Sequence, residues 1–194
     1  MTSPTQQVFL VRHGETEWSL NGRHTGTTDI PLTDHGRQVA GLLQPILAKE
    51  SFTLALTSPL QRARETCRLA GFGDVANVEP DLVEWNYGRN EGLTSSQIHA
   101  IAPGWLLFRD GCPGGEQPAE IAARVDHVIA KVRAAEGDVI LFAHGHVLRV
   151  LAARWLGLSP SVGQHLLLGT ATVNILGYYR GIPAIERWNA PVQL

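Results

Sequence analysis

The chain has 194 residues, 44% of them hydrophobic and 18% charged, with a formal net charge of -2 at pH 7; this is long enough for a full core and ordinary for a soluble globular protein. With 16 Lys and Arg against 18 Asp and Glu there is no basic excess to neutralise a phosphate backbone, so nucleic acid is excluded as the expected partner. Met1 to Gln7 are polar without a positive n-region, and the apolar run that follows is too short for a signal peptide or a membrane span, so a cytoplasmic protein with no membrane partner is expected.

In chain order, Val8 to Val11 read as a short buried strand that breaks at Arg12-His13-Gly14-Glu15 into a polar, glycine-punctuated loop. In open α/β sheets ligands bind at the carboxyl ends of strands, which is where Arg12 and His13 would stand; the alternative at this point is a plain surface turn. Thr33 is expected to cap a helix over about 34–49 that buries Val39, Leu42, Leu43, Ile46 and Leu47, with Pro45 bending or interrupting it. A second buried strand at 54–57 leads into Ser58-Pro59, read as N-cap and first residue of a helix to about 70, with Arg62 one turn in. Residues 75–78 form a weaker strand, followed by a turn at Glu79-Pro80-Asp81 and then by Glu84.

From 85 to 118 the strand-helix rhythm gives way to short helical pieces, glycines, prolines and the aromatics Trp85, Tyr87, Trp105 and Phe108, the pattern of a small lid. Residues 119–135 return to clean helix with Ile121, Val125, Val128, Ile129 and Val132 on one face and His127 in solvent. The run 138–143 is the most hydrophobic strand, and it stops on His144-Gly145-His146 before a helix over about 147–156. This echoes Arg12-His13-Gly14 and places His144 beside His13 if the strands are neighbours. Two further strands near 172–179 and 184–188, joined at Arg180-Gly181, complete the sheet. Cys67 and Cys112, with neither metal nor disulfide spacing, read as reduced thiols, the first in the core and the second incidental.

Alternation of β and α predicts a single α/β domain over 1–194, a three-layer α/β/α sandwich around a mostly parallel sheet, and brings Arg12, His13, Arg62, Glu84 and His144 together. Two guanidiniums and a second histidine make a cage for a compact dianion, within which a neutral His13 is a nucleophile aimed at phosphorus. Glu84 has the chemistry to protonate the departing oxygen and then to take a proton from water.

These residues resemble the histidine phosphatase superfamily, also called phosphoglycerate mutase-like proteins. Arg12-His13-Gly14-Glu15-Thr16 fits its signature; Ser58 to Ala63, Glu84 with Tyr87-Gly88, Pro113-Gly114-Gly115-Glu116 and Ala143-His144-Gly145 follow in the family's order. The resemblance implies a phosphoglycerate mutase-like fold, His13 as the phosphorylated nucleophile, Glu84 as proton donor, and Arg12, Arg62 and His144 as phosphate pocket, with no cofactor and no metal. It assigns substrate contacts to Ser19, where many members carry asparagine, to His24, Thr25 and Gly26 in the loop after the nucleophile, and to Tyr87. His146 is either a further donor or the cap of its helix, and His35, His99 and His165 are surface or packing residues.

The expected activity is metal-independent hydrolysis of a small phosphate ester, a sugar phosphate or a phosphoglycerate-like acid. The alternatives are a phosphoglycerate mutase, a metal site using Asp29 or Glu84, and an inactive phosphate-binding or partner-binding module. Oligomeric state is not readable from the sequence.

Overall fold

The computed structural model describes residues 6–192; Met1 to Thr5, part of the polar start noted above, and Gln193 and Leu194 lie outside the described residues. Six strands form one sheet: β1 (Val8–Arg12), β2 (Leu54–Thr57), β3 (Asn77–Val78), β4 (Val139–Ala143), β5 (Thr172–Tyr179) and β6 (Ile182–Pro191). Their order is β3-β2-β4-β1-β5-β6. The first four are parallel neighbours, and β5 and β6 join antiparallel at the β1 edge. Around the sheet lie α1 (Glu17–Leu20), α2 (Asp34–Gly41), α3 (Gln44–Leu47), α4 (Gln61–Leu69), α5 (Ser95–Ile101), α6 (Leu107–Asp110), α7 (Pro118–Arg133) and α8 (Gly145–Trp155).

The period-two alternation of the central strands sorts their side chains into two cores. Val8, Leu10, Val139, Leu141 and Ala143 face α7 and α8, packing on Val125, Val128, Leu148 and Leu151. Phe9, Val11, Ile140 and Phe142 face the other way, onto Leu43, Leu47, Cys67 and Ala70. This is the three-layer sandwich that the alternation of elements predicts, and burial on both faces explains why these strands read as continuous apolar runs. The α7 stripe of Ile121, Val125, Val128, Ile129 and Val132 is buried throughout.

Several local expectations are corrected. The first helix is two, α2 and α3: the chain tightens after Gly41, where the amide of Leu42 donates to Val39, and Pro45 sits in the first turn of α3, where its missing N–H breaks no helical bond. The break turns Ile46 to the surface while Leu43 and Leu47 stay buried. Ser58 does not cap α4, which starts at Gln61 after Leu60; its hydroxyl pairs instead with His144 Nε2 at 2.7 Å. Cys112, expected to be incidental, is buried in the same core as Trp85, Tyr87, Leu107 and Phe108. The lid is therefore rooted in the α7/α8 core by its aromatics. The hairpin at Arg180-Gly181 has φ of 53° and 81°, the paired left-handed residues of a two-residue turn whose twist matches the flanking strands.

Candidate active site

The register Arg12↔Ala143 between β1 and β4 ends both strands at the same edge, so His13 and His144 leave the sheet side by side, with ring centroids 5.1 Å apart. The turn after β1 is tightly held. The amide of His13 donates to Ala143 O at 2.9 Å, and the amide of Ala171, itself in the left-handed region at φ 51°, donates to the carbonyls of both Arg12 and His13 at 3.1 Å. Gly14 donates to Thr66 Oγ1 at 2.9 Å. A Cβ at position 14 would stand 2.6 Å from Gly36 O, so only glycine lets the chain pass so close to α2.

His13 Nδ1 lies 2.7 Å from Gly14 O. A carbonyl only accepts, so Nδ1 carries the proton and Nε2 keeps its lone pair. Burial, then the Arg62 and Arg12 guanidiniums, hold the His13 pKa well below the ordinary histidine range. The ring is neutral at pH 7.

Arg62 is fully buried behind His13 and is already heavily engaged. Its Nε donates to His144 Nδ1 at 3.1 Å, one Nη to Thr28 O at 3.0 Å, and the other to Thr25 O and Gly26 O at 3.2 and 2.9 Å. Because the guanidinium is always the donor, His144 accepts at Nδ1, so its Nε2 proton goes to Ser58. His144 is thus neutral with both nitrogens occupied, its pKa held far below normal by burial and then by Arg62. Arg62 and His144 form a layer beneath His13 and do not line the open pocket.

Glu84 sits at the amino end of α8, and its carboxyl caps that helix. Oε1 accepts from the amides of Trp85 and Val147, and Oε2 from that of His146, each at 2.9 Å. His146 lies inside the first turn of α8 and is not its cap. Two carboxyl oxygens offer about four lone-pair positions; three are taken, and the fourth, on Oε2, has no partner among the described residues. Arg124 of α7 steadies this segment from outside by donating to the carbonyls of Asp81, Val83 and Glu84 and to the Glu116 carboxylate.

Over this edge opens a pocket of about 230 Å³. Of the sequence-predicted residues, Arg12, His13, Ser19, His24, Thr25, Glu84, Tyr87 and His146 line it. Gly26 does not: its N–H is held by the Glu91 carboxylate and its carbonyl by Arg62. The Ser19 hydroxyl, though at the wall, accepts from the Thr16 amide and donates to the Thr16 carbonyl as part of the α1 cap. Arg12 donates from one Nη to Leu168 O, while its Nε is the one buried side-chain nitrogen or oxygen without a partner among the described residues. Beside it Gly145 leaves a bare spot, where a Cβ would stand 3.4 Å from Arg12 Nε and 3.7 Å from Glu84 Oε2. Four roomier hollows, of about 450, 530, 260 and 330 Å³, hold none of the predicted site residues.

A buried neutral histidine with an open lone pair, an arginine beside it in the same pocket, and a carboxyl across a glycine gap point to phosphoryl chemistry. The family model described as the histidine phosphatase superfamily (branch 1) matches residues 8–191. The chain belongs to this superfamily. This histidine phosphatase is 38% identical over 180 residues to an acid phosphatase of Mycobacterium tuberculosis, with 91% of this chain and 88% of the relative covered. It is 36% identical over 190 residues to the sedoheptulose 1,7-bisphosphatase of Saccharomyces cerevisiae, covering 81% of this chain and 70% of that one. Its fold superposes on a mycobacterial glucosyl-3-phosphoglycerate phosphatase solved with VO3 at a TM-score of 0.85 and 32% identity, covering 95% and 99% of the two chains. It is a phosphatase of the histidine phosphatase type.

The sequence reading of this histidine phosphatase missed Arg23, Ser95 and Arg149 at the pocket wall. Arg149 was findable: it follows His146 by three residues on α8 and so shares its face. It lies over the Phe108 ring at 4.6 Å and donates to Gly163 O at 2.9 Å. Glu91, which ties the lid to the loop after His13 by accepting from the amides of Gly26 and Thr28, carries no local signal. Among the described residues no three of His, Cys, Asp and Glu gather as a metal-ligand set, and no helix is long and apolar enough to cross a membrane.

Proposed function

We propose that this phosphatase is a metal-independent phosphomonoesterase that hydrolyses a small phosphorylated metabolite, a sugar phosphate or a phosphoglycerate-like acid, through a phosphohistidine on His13. The observation that carries the reading is the open lone pair of the neutral His13 Nε2 at the pocket wall, with the Arg12 guanidinium lining the same pocket as a fixed positive charge.

Nε2 of His13 attacks phosphorus and the ester P–O bond breaks. The departing oxygen takes the proton from Glu84 Oε2, the carboxyl position left free by the three amides. Arg12 supplies charge and a fixed donor to the equatorial oxygens, and Arg62 supplies charge from below. Water then attacks the phosphohistidine, returns its proton to Glu84, and leaves His13 neutral with inorganic phosphate free. Ser19, His24, Thr25, Tyr87 and His146 shape the leaving-group side, where Arg23 and Arg149 add positive charge.

A cavity of about 230 Å³ lies below the roughly 300–1,000 Å³ usual for drug-sized ligands, which favours a small ester. A panel of metabolite phosphates read by free phosphate tests the proposal. Release from sugar phosphates or phosphoglycerates is the expected result, and interconversion of 3- and 2-phosphoglycerate faster than hydrolysis would replace it with a mutase.

A further inference from the structure

His24 and His146 face the pocket as parallel rings, with centroids 6.1 Å apart and planes within 1°. Trp105 packs edge-on against the first and Phe108 against the second. Their two Nε2 atoms have opposite characters. His24 Nδ1 lies 2.9 Å from Leu93 O; the carbonyl can only accept, so the proton is on Nδ1 and Nε2 is an acceptor. His146 Nδ1 meets the Tyr87 hydroxyl. Tyr87 is buried and its O–H has no other acceptor among the described residues, so the hydroxyl donates, Nδ1 accepts, and His146 Nε2 carries a proton.

Neither Nε2 has a protein partner, yet neither is sealed in the interior, since Arg12 Nε alone is buried and unpartnered among the described residues. Both atoms are open to the pocket. Burial, reinforced at His146 by Arg149, His24 and Arg12, lowers both pKa values and keeps the rings neutral.

We propose that His24 and His146 are a hydroxyl-reading pair, one acceptor and one donor, locked in opposite tautomers by the Leu93 carbonyl and the Tyr87 hydroxyl. The pocket thereby selects phosphate esters that carry a free hydroxyl near the ester carbon. A hydroxyl both donates and accepts, so it satisfies both rings. A carboxylate has no proton for His24, an ammonium has no lone pair for His146, and an alkyl chain leaves both ring nitrogens without the water they held. Tyr87 is here a positioning residue that acts through His146. The inference rests on the phosphatase reading above and adds to it the two side chains that read the substrate's hydroxyl.

Two measurements test it. Long-range proton–nitrogen spectra of histidine-labelled protein at pH 7 are expected to show His24 protonated at Nδ1 and His146 at Nε2, with Tyr87→Phe releasing His146 into a tautomer mixture. The same tautomer on both rings, or an unchanged His146 in Tyr87→Phe, would overturn the proposal. In kinetics, glycerol 1-phosphate and propyl phosphate have the same charge and an alkyl leaving group but differ in hydroxyls. The kcat/KM ratio is expected to favour the glycerol ester by about tenfold or more and to collapse toward one in both Tyr87→Phe and His24→Phe. A ratio near one in the unmodified enzyme, or a ratio these variants leave intact, sinks the pair while the phosphatase reading stands. No hydrolysis of either ester and no phosphohistidine would instead sink the phosphatase reading, and the pair with it.

Discussion

Replacing Arg62 by alanine separates two kinds of work that the sequence alone assigned to one. From the motif the side chain appears only as part of the phosphate cage, which predicts a loss confined to turnover. In the structure it also donates to Thr25 O, Gly26 O, Thr28 O and His144 Nδ1. Thr25 and Thr28 are partly exposed, so water replaces the guanidinium there, but Gly26 and His144 are buried. At about 1–3 kcal/mol for each buried acceptor left unsatisfied, the expected destabilisation is about 2–6 kcal/mol. Burial already lowers the Arg62 pKa against the opposing pull of Glu84 and Asp29, so removing a desolvated charge offsets part of this and places the value toward the lower end. That is still a large share of the ~5–15 kcal/mol of a typical domain. Denaturant unfolding gives the stability, and Michaelis kinetics on a nitrophenyl ester, at a temperature where the variant is folded, gives the activity. Both should fall. A stability loss under about 1 kcal/mol alongside abolished turnover would refute the idea that Arg62 holds the 25–28 loop.

In Glu84→Gln the new amide sets a donor against the His146 N–H, and the acid is lost; His13 phosphorylation by alkyl phosphates should fall by ~10²–10⁴, while a nitrophenyl ester, which needs little proton help, should lose far less. Rapid quench on both esters measures this, and equal losses would show that Glu84 only positions substrate. Gly145→Ala places a methyl 3.4 Å from Arg12 Nε, so competitive inhibition by phosphate should weaken by about 10- to 100-fold, the worth of one charge-assisted hydrogen bond, without loss of stability; unchanged inhibition would put the phosphoryl group elsewhere. His13, His144 and His146 all have pKa values pushed well below normal by burial. Their neutral folded forms cost nothing above the unfolded pKa of about 6.5. As pH falls below that, the unfolded chain gains protons that the folded chain does not, and stability should drop by up to ~1.4 kcal/mol per pH unit for each histidine. Unfolding curves at pH 7 and 5.5 with the same midpoint would contradict this. Prolonged chelation followed by assay should leave activity intact, and loss restored by added zinc or manganese would require a metal in the mechanism.

Where a residue's task is written in its own stretch, the sequence shows it. The apolar runs of β1 and β4 and the His-Gly sequences that end them place His13 next to His144 once the two strands are neighbours, as they are in the sheet, because parallel neighbours deliver their carboxyl ends to one edge. The α7 stripe is legible for the same local reason, its period. What is not legible depends on partners distant in the chain. Ser58 reads as a helix cap from its Pro neighbour, yet its hydroxyl is taken by His144, 86 residues on. Gly26 reads as a substrate contact from its loop, but Glu91 and Arg62 occupy both its polar groups from two other elements. Cys112 looks incidental because nothing around it is periodic, whereas it is buried by the core that the lid aromatics share with α7 and α8. His146 reads equally as cap or donor until Glu84 is seen to occupy the helix end, which frees the ring for the pocket.

The central claim is that His13 Nε2 becomes covalently phosphorylated. Protein quenched in alkaline detergent within milliseconds of mixing with excess ³²P-labelled ester tests it most directly. The account predicts a burst of label that reaches one phosphate per chain, survives base, is lost in acid, and is absent from His13→Ala, which should fold normally. Hydrolysis at full rate with no such label, or label that persists in His13→Ala, would contradict it.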